Sequence, residues 1–287
     1  MNILEVQGLS KQYKNSSFRL NNISFSIPSG AIMGFVGENG AGKTTTIGCI
    51  LGTLVKDGGK IKIFGKEASD KTTDIRDDIG VVYDGNCFPE RMTPAQVAAG
   101  MRHIYANWDD NLFREHLVKF KLPEKKRIKT FSRGMTMKLA IATALSHSPK
   151  LLVLDEATAG LDPIAREELL EVLLDFVQDE NHSVLLSSHI TTDLEKIADY
   201  INFIHDGSIL FCEKKDDLIY NYGIMRCKSA QFAEIDKEDI LACRKRDHQT
   251  DVLVADKQAA AKKYRDTIID NTTIDEIMLM MVKGGKP

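Results

Sequence analysis

Residues 37–45 read Gly-Glu-Asn-Gly-Ala-Gly-Lys-Thr-Thr, and Gly-x-x-x-x-Gly-Lys-Thr is the spacing of a loop that cradles phosphates. Glycine admits backbone angles that a β-carbon forbids, so successive amides from Gly37 through Glu38, Asn39, Gly40, Ala41 and Gly42 can turn toward a polyphosphate. Lys43 supplies a point charge to the β- and γ-phosphates, and the Thr44 hydroxyl is placed to ligate Mg²⁺. Thr45 continues into a helix whose positive end faces the same anion. A second run, Leu151-Leu-Val-Leu-Asp155-Glu156, has four apolar residues ending in two carboxylates, as expected of a buried parallel strand that delivers acids at its C-terminal edge. Such endings are common alone. Beside a phosphate loop, Asp155 would bind Mg²⁺ directly or through water, and Glu156 would act as base or orienter for an attacking water. His189 follows the apolar run Ser183–Ser187 and emerges at the same edge as Glu156 if those strands are neighbours. There an imidazole can hydrogen-bond a γ-phosphate or hold the water. His103, His116, His147, His182, His205 and His248 have no metal spacing and read as structural or surface residues.

The elements that must position these groups follow from periodicity. Short strands fit residues 3–6, 24–27, 31–36, 60–64, 80–83, 151–154, 183–187 and 201–205. Residues 163–177 fit a helix, with Pro163 near its first turn and apolar residues at helical spacing. Strands alternating with helices imply an α/β chain with a mainly parallel core sheet. Between Cys87 and Pro149 the strand signal gives way to helices. Trp108, in that block, suits either packing within it or a groove for a partner's helix. After Lys214, residues 216–220, 255–264 and 273–282 read as helices among brief apolar runs, with Ile274, Ile277, Met278 and Met281 on one face of the last.

Further motifs stand around the loop and the acidic strand. Tyr13 lies in Leu9-Ser-Lys-Gln-Tyr-Lys14. Phe131-Ser-Arg-Gly-Met135 precedes a helix, Ala159-Gly-Leu-Asp162 follows the acids, and Ser187-Ser-His189 ends the next strand. In this order the set resembles the ABC ATPase family over roughly the first 215 residues. The resemblance implies a P-loop NTPase fold of ABC type over residues 1–215. Its mainly parallel sheet would carry an antiparallel β part and a helical subdomain inserted at about 88–149. Residues 216–287 would be a small α+β accessory domain. It further implies that Tyr13 stacks on adenine, that Asp162 belongs to the D-loop, and that ATP with Mg²⁺ is bound and hydrolysed with Lys43, Glu156 and His189 at the reacting end. In the family two chains pair head to tail, so Ser132 and Gly134 of one would reach the γ-phosphate held by Lys43 of the other. Within the family the chain resembles ABC-2 type exporters of the bacitracin, lantibiotic and YtrB-like kind. The partners implied are a second ABC ATPase chain, identical or related, and separate transmembrane permease subunits.

Several positions depart from the family pattern. Asp84, ending Ile79-Gly-Val-Val-Tyr-Asp84, replaces a glutamine that links magnesium to the membrane partner. It can hold a metal-bound water, but it adds negative charge near phosphates. Arg133 replaces the first of two signature glycines; it either offers a cation to the phosphate across a dimer interface or faces solvent. Ala157 replaces the proline after the catalytic glutamate, which costs loop rigidity and leaves the chemistry.

Composition limits the alternatives. The 287 residues are 43% hydrophobic and 28% charged, enough for a large core, and a net charge of −3 gives no global attraction to nucleic acid. The basic runs 125–127 and 244–246 read as solvated faces. Five cysteines without a Cys-x-x-Cys pair point to reduced thiols in a cytoplasmic setting. No apolar stretch is long enough to cross a bilayer and no signal-peptide pattern opens the chain. An exporter subunit would therefore lie at the inner face of the membrane through its partner. The competing readings are a soluble ABC ATPase acting on a macromolecule and a nucleotide switch of another phosphate-loop class. The first is disfavoured by a single, unrepeated motif set, the second by the lack of an Asn-Lys-x-Asp run.

Overall fold

The computed structural model describes residues 1–14, 16–68, 73–85, 87–246 and 249–285. His248 lies outside them. The first strands are β1 (Asn2–Gln12), β2 (Arg19–Pro28), β3 (Ile32–Val36), β4 (Gly58–Ile63), β5 (Lys66–Glu67) and β6 (Ile79–Tyr83), with helix α1 (Lys43–Ile50) after β3. Helices α2 (Pro94–Met101), α3 (Asp110–Lys119) and α4 (Arg133–Leu145) precede β7 (Leu151–Asp155). Then come α5 (Pro163–Phe176), β8 (Ser183–Ser188), α6 (Thr191–Ile197), β9 (Tyr200–His205), β10 (Ser208–Lys214) and α7 (Lys215–Tyr220). The chain ends with β11 (Gly223–Cys227), α8 (Ser229–Phe232), β12 (Ala242–Lys245), β13 (Thr250–Val254), α9 (Lys257–Lys263), β14 (Ile268–Asn271) and α10 (Ile274–Lys283).

The central sheet has the order β10-β9-β3-β8-β7-β6, parallel throughout except for the antiparallel edge β10. Beside it stands an antiparallel sheet, β2-β1-β4-β5, and the C-terminal stretch forms a third, β12-β13-β11-β14, also antiparallel. The α/β fold with a mainly parallel core, an antiparallel part and an inserted helical block is as the sequence implies. Strand β1 runs further than expected because register shifts after Val6 and Leu9 break its alternation while pairing to β2 and β4 continues. Strand β10 lies outside the strands expected from the sequence although it carries the apolar run Ile209-Leu-Phe-Cys212; as the antiparallel edge of the sheet it is only half buried.

The parallel strands are buried on both faces, which is why β7 reads as a continuous apolar run and why even the serines of β8 are buried. Alternate side chains feed different cores. Leu152 and Leu154 pack with the helical block and α5, whereas Leu151 and Val153 pack with α1 and the antiparallel sheet. Local chemistry starts the helices. Thr93 and Gln96 form a capping box before Pro94, and Asp162 caps α5 by accepting from the Ile164 and Ala165 amides. Trp108 is a packing residue: its ring lies against Phe113 and its Nε1 donates to Asp110 at 2.9 Å. The third sheet joins the main core through Ile224, Leu253, Ile274, Ile277 and Met280, near Leu194 and Ile197 of α6. In α10 it is thus Met280 that is buried, with Met278 and Met281 at the margin. The other face of that sheet has its own small core of Met225, Val252 and Val254.

Two local features of the fold carry testable consequences, the first of them beside the phosphate loop and the second at the far end of the strands. The Asp206-Gly207 turn joins β9 to β10, with φ of 44° and 71°, and the Gly207 amide donates to the Ala41 carbonyl at 3.0 Å, bracing the phosphate loop. A β-carbon on Gly207 would collide with the Arg19 carbonyl oxygen. At the end of α4, the buried His147 ring stacks on Tyr105 at 3.9 Å with Nδ1 2.9 Å from the Asp77 carbonyl oxygen, and burial lowers its pKa. Gly207→Ala should therefore cost about 2–3 kcal/mol, read as a lower urea midpoint at unchanged slope. A depressed folded pKa means the unfolded chain takes up protons first, so stability should fall as pH drops through about 6.5. That fall, measured as urea midpoints at several pH values, should shrink in His147→Phe, which keeps the ring stack without the titration.

Candidate nucleotide-binding site

The phosphate loop leaves β3 and enters α1. Gly42 has φ of 116°, and a β-carbon there would come within 2.6 Å of Leu20 and 3.0 Å of Phe18, so the loop closes only over glycine. Lys43 is buried; its Nζ donates to the carbonyls of Gly37 at 2.6 Å and Glu38 at 3.2 Å. With two protons on loop carbonyls, the ammonium faces Glu156 Oε1, 3.0 Å away. The alignment falls short of a hydrogen bond, so this buried oxygen has a counter-charge and no donor.

Glu156 gets there through its backbone. Its φ is 54°, a left-handed conformation uncommon for a side chain of this kind, and its amide donates to the Ser187 carbonyl at 3.1 Å and to Ser187 Oγ at 3.2 Å. The register of β7 on β8 places Asp155 opposite Ser187, whose hydroxyl donates to Asp155 Oδ1 at 2.5 Å. One serine thus fixes both acids. His189, just past β8, brings Nδ1 to 2.6 Å from Glu156 Oε2. The strands carrying Glu156 and His189 are neighbours, as His189 required. Lys43, Glu156 and His189 form a chain of contacts at the C-terminal edge of the sheet, with Asp155 behind it.

A cleft of about 400 Å³ opens in front of Lys43, bounded by Tyr13, Phe18, Gly42, Thr45 and Glu156, with Asn39, Gly40 and Thr44 on its wall. Tyr13 follows β1 and is partly exposed, with its hydroxyl 3.4 Å from Thr45 Oγ1. Phe18 and Ser16 line the cleft without belonging to any motif, and only the path of the chain into β2 reveals them. Ser187 was legible only as a neighbour of His189.

The remaining expected residues gather elsewhere. Ser132 caps α4, its Oγ accepting from the Met135 amide at 3.2 Å, and Gly134 packs against Ala165 beside the capping Asp162. Among the described residues no hydrogen bond or ion pair joins Ser132, Arg133, Gly134 or Asp162 to the phosphate loop. The sequence placed Asp84 with a metal and Arg133 at a phosphate or in solvent; the structure pairs them with each other, Arg133 Nη2 to Asp84 Oδ1 at 2.6 Å. The two charges neutralise one another, which neither motif alone reveals.

The donor set suits a magnesium-bound phosphate. The hard oxygen of Thr44 lies on the cleft wall with Lys43, Asp155 ends the strand just before Glu156, and among the described residues no cluster of three or more His, Cys, Asp or Glu could hold a metal alone. A metal here would complete its shell with phosphate oxygens and water.

Comparison with known proteins agrees with this geometry. A family profile described as ABC transporter matches residues 20–159. The chain is 34% identical over 210 residues to a bacitracin transport ATP-binding protein of Bacillus licheniformis, covering 72% of this chain and 68% of that one. It is likewise 34% identical over 215 residues to a lantibiotic transport ATP-binding protein of Streptococcus pyogenes, covering 75% and 92%. A solved ATP-binding subunit of an ABC transporter superposes with a TM-score of 0.68 at 28% identity, covering 75% of this chain and 91% of that one. If Ser187 orients both acids, Ser187→Ala should lower kcat for ATP hydrolysis about 10- to 100-fold with little change in KM. A wild-type kcat would mean Asp155 and Glu156 hold their places without that hydroxyl.

Proposed function

The chain belongs to the ABC transporter ATP-binding family, whose members hydrolyse ATP to power transport, and from that premise we propose that it drives an exporter whose membrane-spanning subunits are separate polypeptides. The observation that carries the ATP-hydrolysing part of this reading is the contact chain Lys43–Glu156–His189 at the mouth of the cleft. An ammonium facing an undonated carboxylate oxygen is a place prepared for phosphate. A triphosphate takes over the free face of Lys43, and Glu156 is released to hold a water.

In this reading Tyr13 packs on the adenine and residues Gly37–Thr45 hold the phosphates. The Thr44 hydroxyl and Asp155 would hold Mg²⁺, which when bound neutralises phosphate charge. Glu156 orients water in line with the γ-phosphorus and accepts its proton as the new P–O bond forms and the bond to the β-phosphate oxygen breaks. His189 steadies the Glu156 carboxylate and meets the γ-phosphate. Ser132 and Gly134, remote from Lys43 of their own chain, serve the nucleotide of a second ATPase chain, so ATP closes two chains together and hydrolysis parts them. Residues 1–215 are the ATPase unit, with the helical subdomain at about 88–149. Residues 216–287 are an accessory unit seated on α6, where the Ile274 amide donates to Glu195 at 3.1 Å.

The resemblance to bacitracin and lantibiotic transport subunits supports export. Among the described residues no helix is long and apolar enough to cross a membrane. The chain should sediment with membranes when its hydrophobic partner is co-expressed and stay in the supernatant otherwise; co-sedimentation with ribosomes instead would favour a macromolecular client. Glu156→Gln should lower turnover about 100-fold or more while ATP binding persists. Undiminished hydrolysis by that variant would place the base elsewhere.

A further inference from the structure

Arg133 is the first residue of α4, and Asp84 follows the last residue of β6, so their 2.6 Å ion pair ties the inserted helical block to the edge of the central sheet. A third segment joins them. A β-carbon on Gly160 would fall 2.5 Å from Arg133 Nη1 and 2.7 Å from its Cζ, so the guanidinium lies against that glycine. Gly160 belongs to the loop that begins at Glu156 and ends at Asp162, the cap of α5. Arg133 therefore touches at one point the helical block, the sheet edge and the loop that carries Glu156.

The pair is built to exchange. Both side chains are about half exposed, 49% and 50%, and an ion pair so open to water is weak. A cation in the first turn of a helix is opposed by the helix dipole, and α4 has no acid in its own first turn. Asp84 supplies that charge from another segment. A triphosphate offers several oxygens and a larger negative charge, the kind of partner a guanidinium grips with two bonds. Arg133 lies beside Ser132, the residue the proposed function gives to the partner's nucleotide.

We infer that Asp84 is a stand-in anion for Arg133: it latches the signature helix to the sheet edge in the separated chain, and the partner's γ-phosphate displaces it when two chains close. The inference rests on the two-chain sandwich proposed above. It makes Asp84 a positioning residue that opposes closure and Arg133 a contact that favours it. Breaking the pair from one side or the other then has opposite effects.

The test is ATP-dependent self-association of the Glu156→Gln protein, followed by sedimentation velocity with Asp84→Asn, Arg133→Ala or both added. Asp84→Asn should tighten association about 3- to 10-fold and Arg133→Ala should weaken it by at least as much. The combined variant should match Arg133→Ala, because without the cation the acid has nothing to compete for. Asp84→Glu, which keeps the charge, should stay near the parent, and the gain from Asp84→Asn should shrink in high salt. Weakening by Asp84→Asn, or additive effects of the two substitutions, would overturn the latch. A parent that self-associates while Asp84→Asn changes nothing sinks the latch alone; a parent that never associates with ATP sinks the sandwich of two identical chains in which the latch operates.

Discussion

A carboxylate held over a buried ammonium is the interaction on which this architecture turns. Glu156 reaches Lys43 only because its backbone takes a left-handed turn, and that turn persists because its amide is held twice by Ser187 of the neighbouring strand. Strained backbone of this kind costs of order 1–3 kcal/mol and survives where its surroundings over-determine it. Here the surroundings are two parallel strands buried on both faces, with Leu152 and Leu154 locked in one core and Leu151 and Val153 in another. Slipping β7 by one residue would exchange the two cores and remove Asp155 from Ser187. Core packing and site geometry are thus one constraint.

The phosphate loop is rigid for a related reason. It is closed from behind by Leu20 and Phe18 against Gly42, and from the side by the Gly207 amide on the Ala41 carbonyl. Both supports come from segments far away in sequence, the start of β2 and the turn between β9 and β10. The loop's carbonyls at 37 and 38 then point two protons of Lys43 inward, leaving one direction for the charge to act. A preorganised cation of this sort loses little entropy when an anion arrives.

A second group of residues, around the start of α4 and α5, is separate from the first and has its own internal order. Ser132 and Asp162 cap their helices, Gly134 lets α4 approach Ala165, and Arg133 bridges to Asp84. The separation agrees with a site completed by another chain, and the ion pair gives this chain a feature the general family pattern lacks. Its C-terminal sheet extends the main core through α10 and α6, the helix that begins two residues after His189.

Much of this was written locally. The spacing of Gly37 to Thr45, the apolar run ending in Asp155 and Glu156, and the Thr93, Asp162 and Thr273 caps depend on residues a few positions apart, so the chain alone determined the phosphate loop, the acidic strand and the helix starts. The apolar run Ile209-Leu-Phe-Cys212 of β10 was legible as a strand, but only the sheet order shows it to be the half-exposed antiparallel edge. Tertiary structure alone decided that Ser187 serves both acids, that Phe18 lines the cleft, and that Asp84 finds Arg133. Each of these contacts joins segments whose approach is set by parallel-sheet register and by helices packing over long crossovers. Residue types at one point in a chain specify which bonds are possible, whereas strand order and core packing select which of them form.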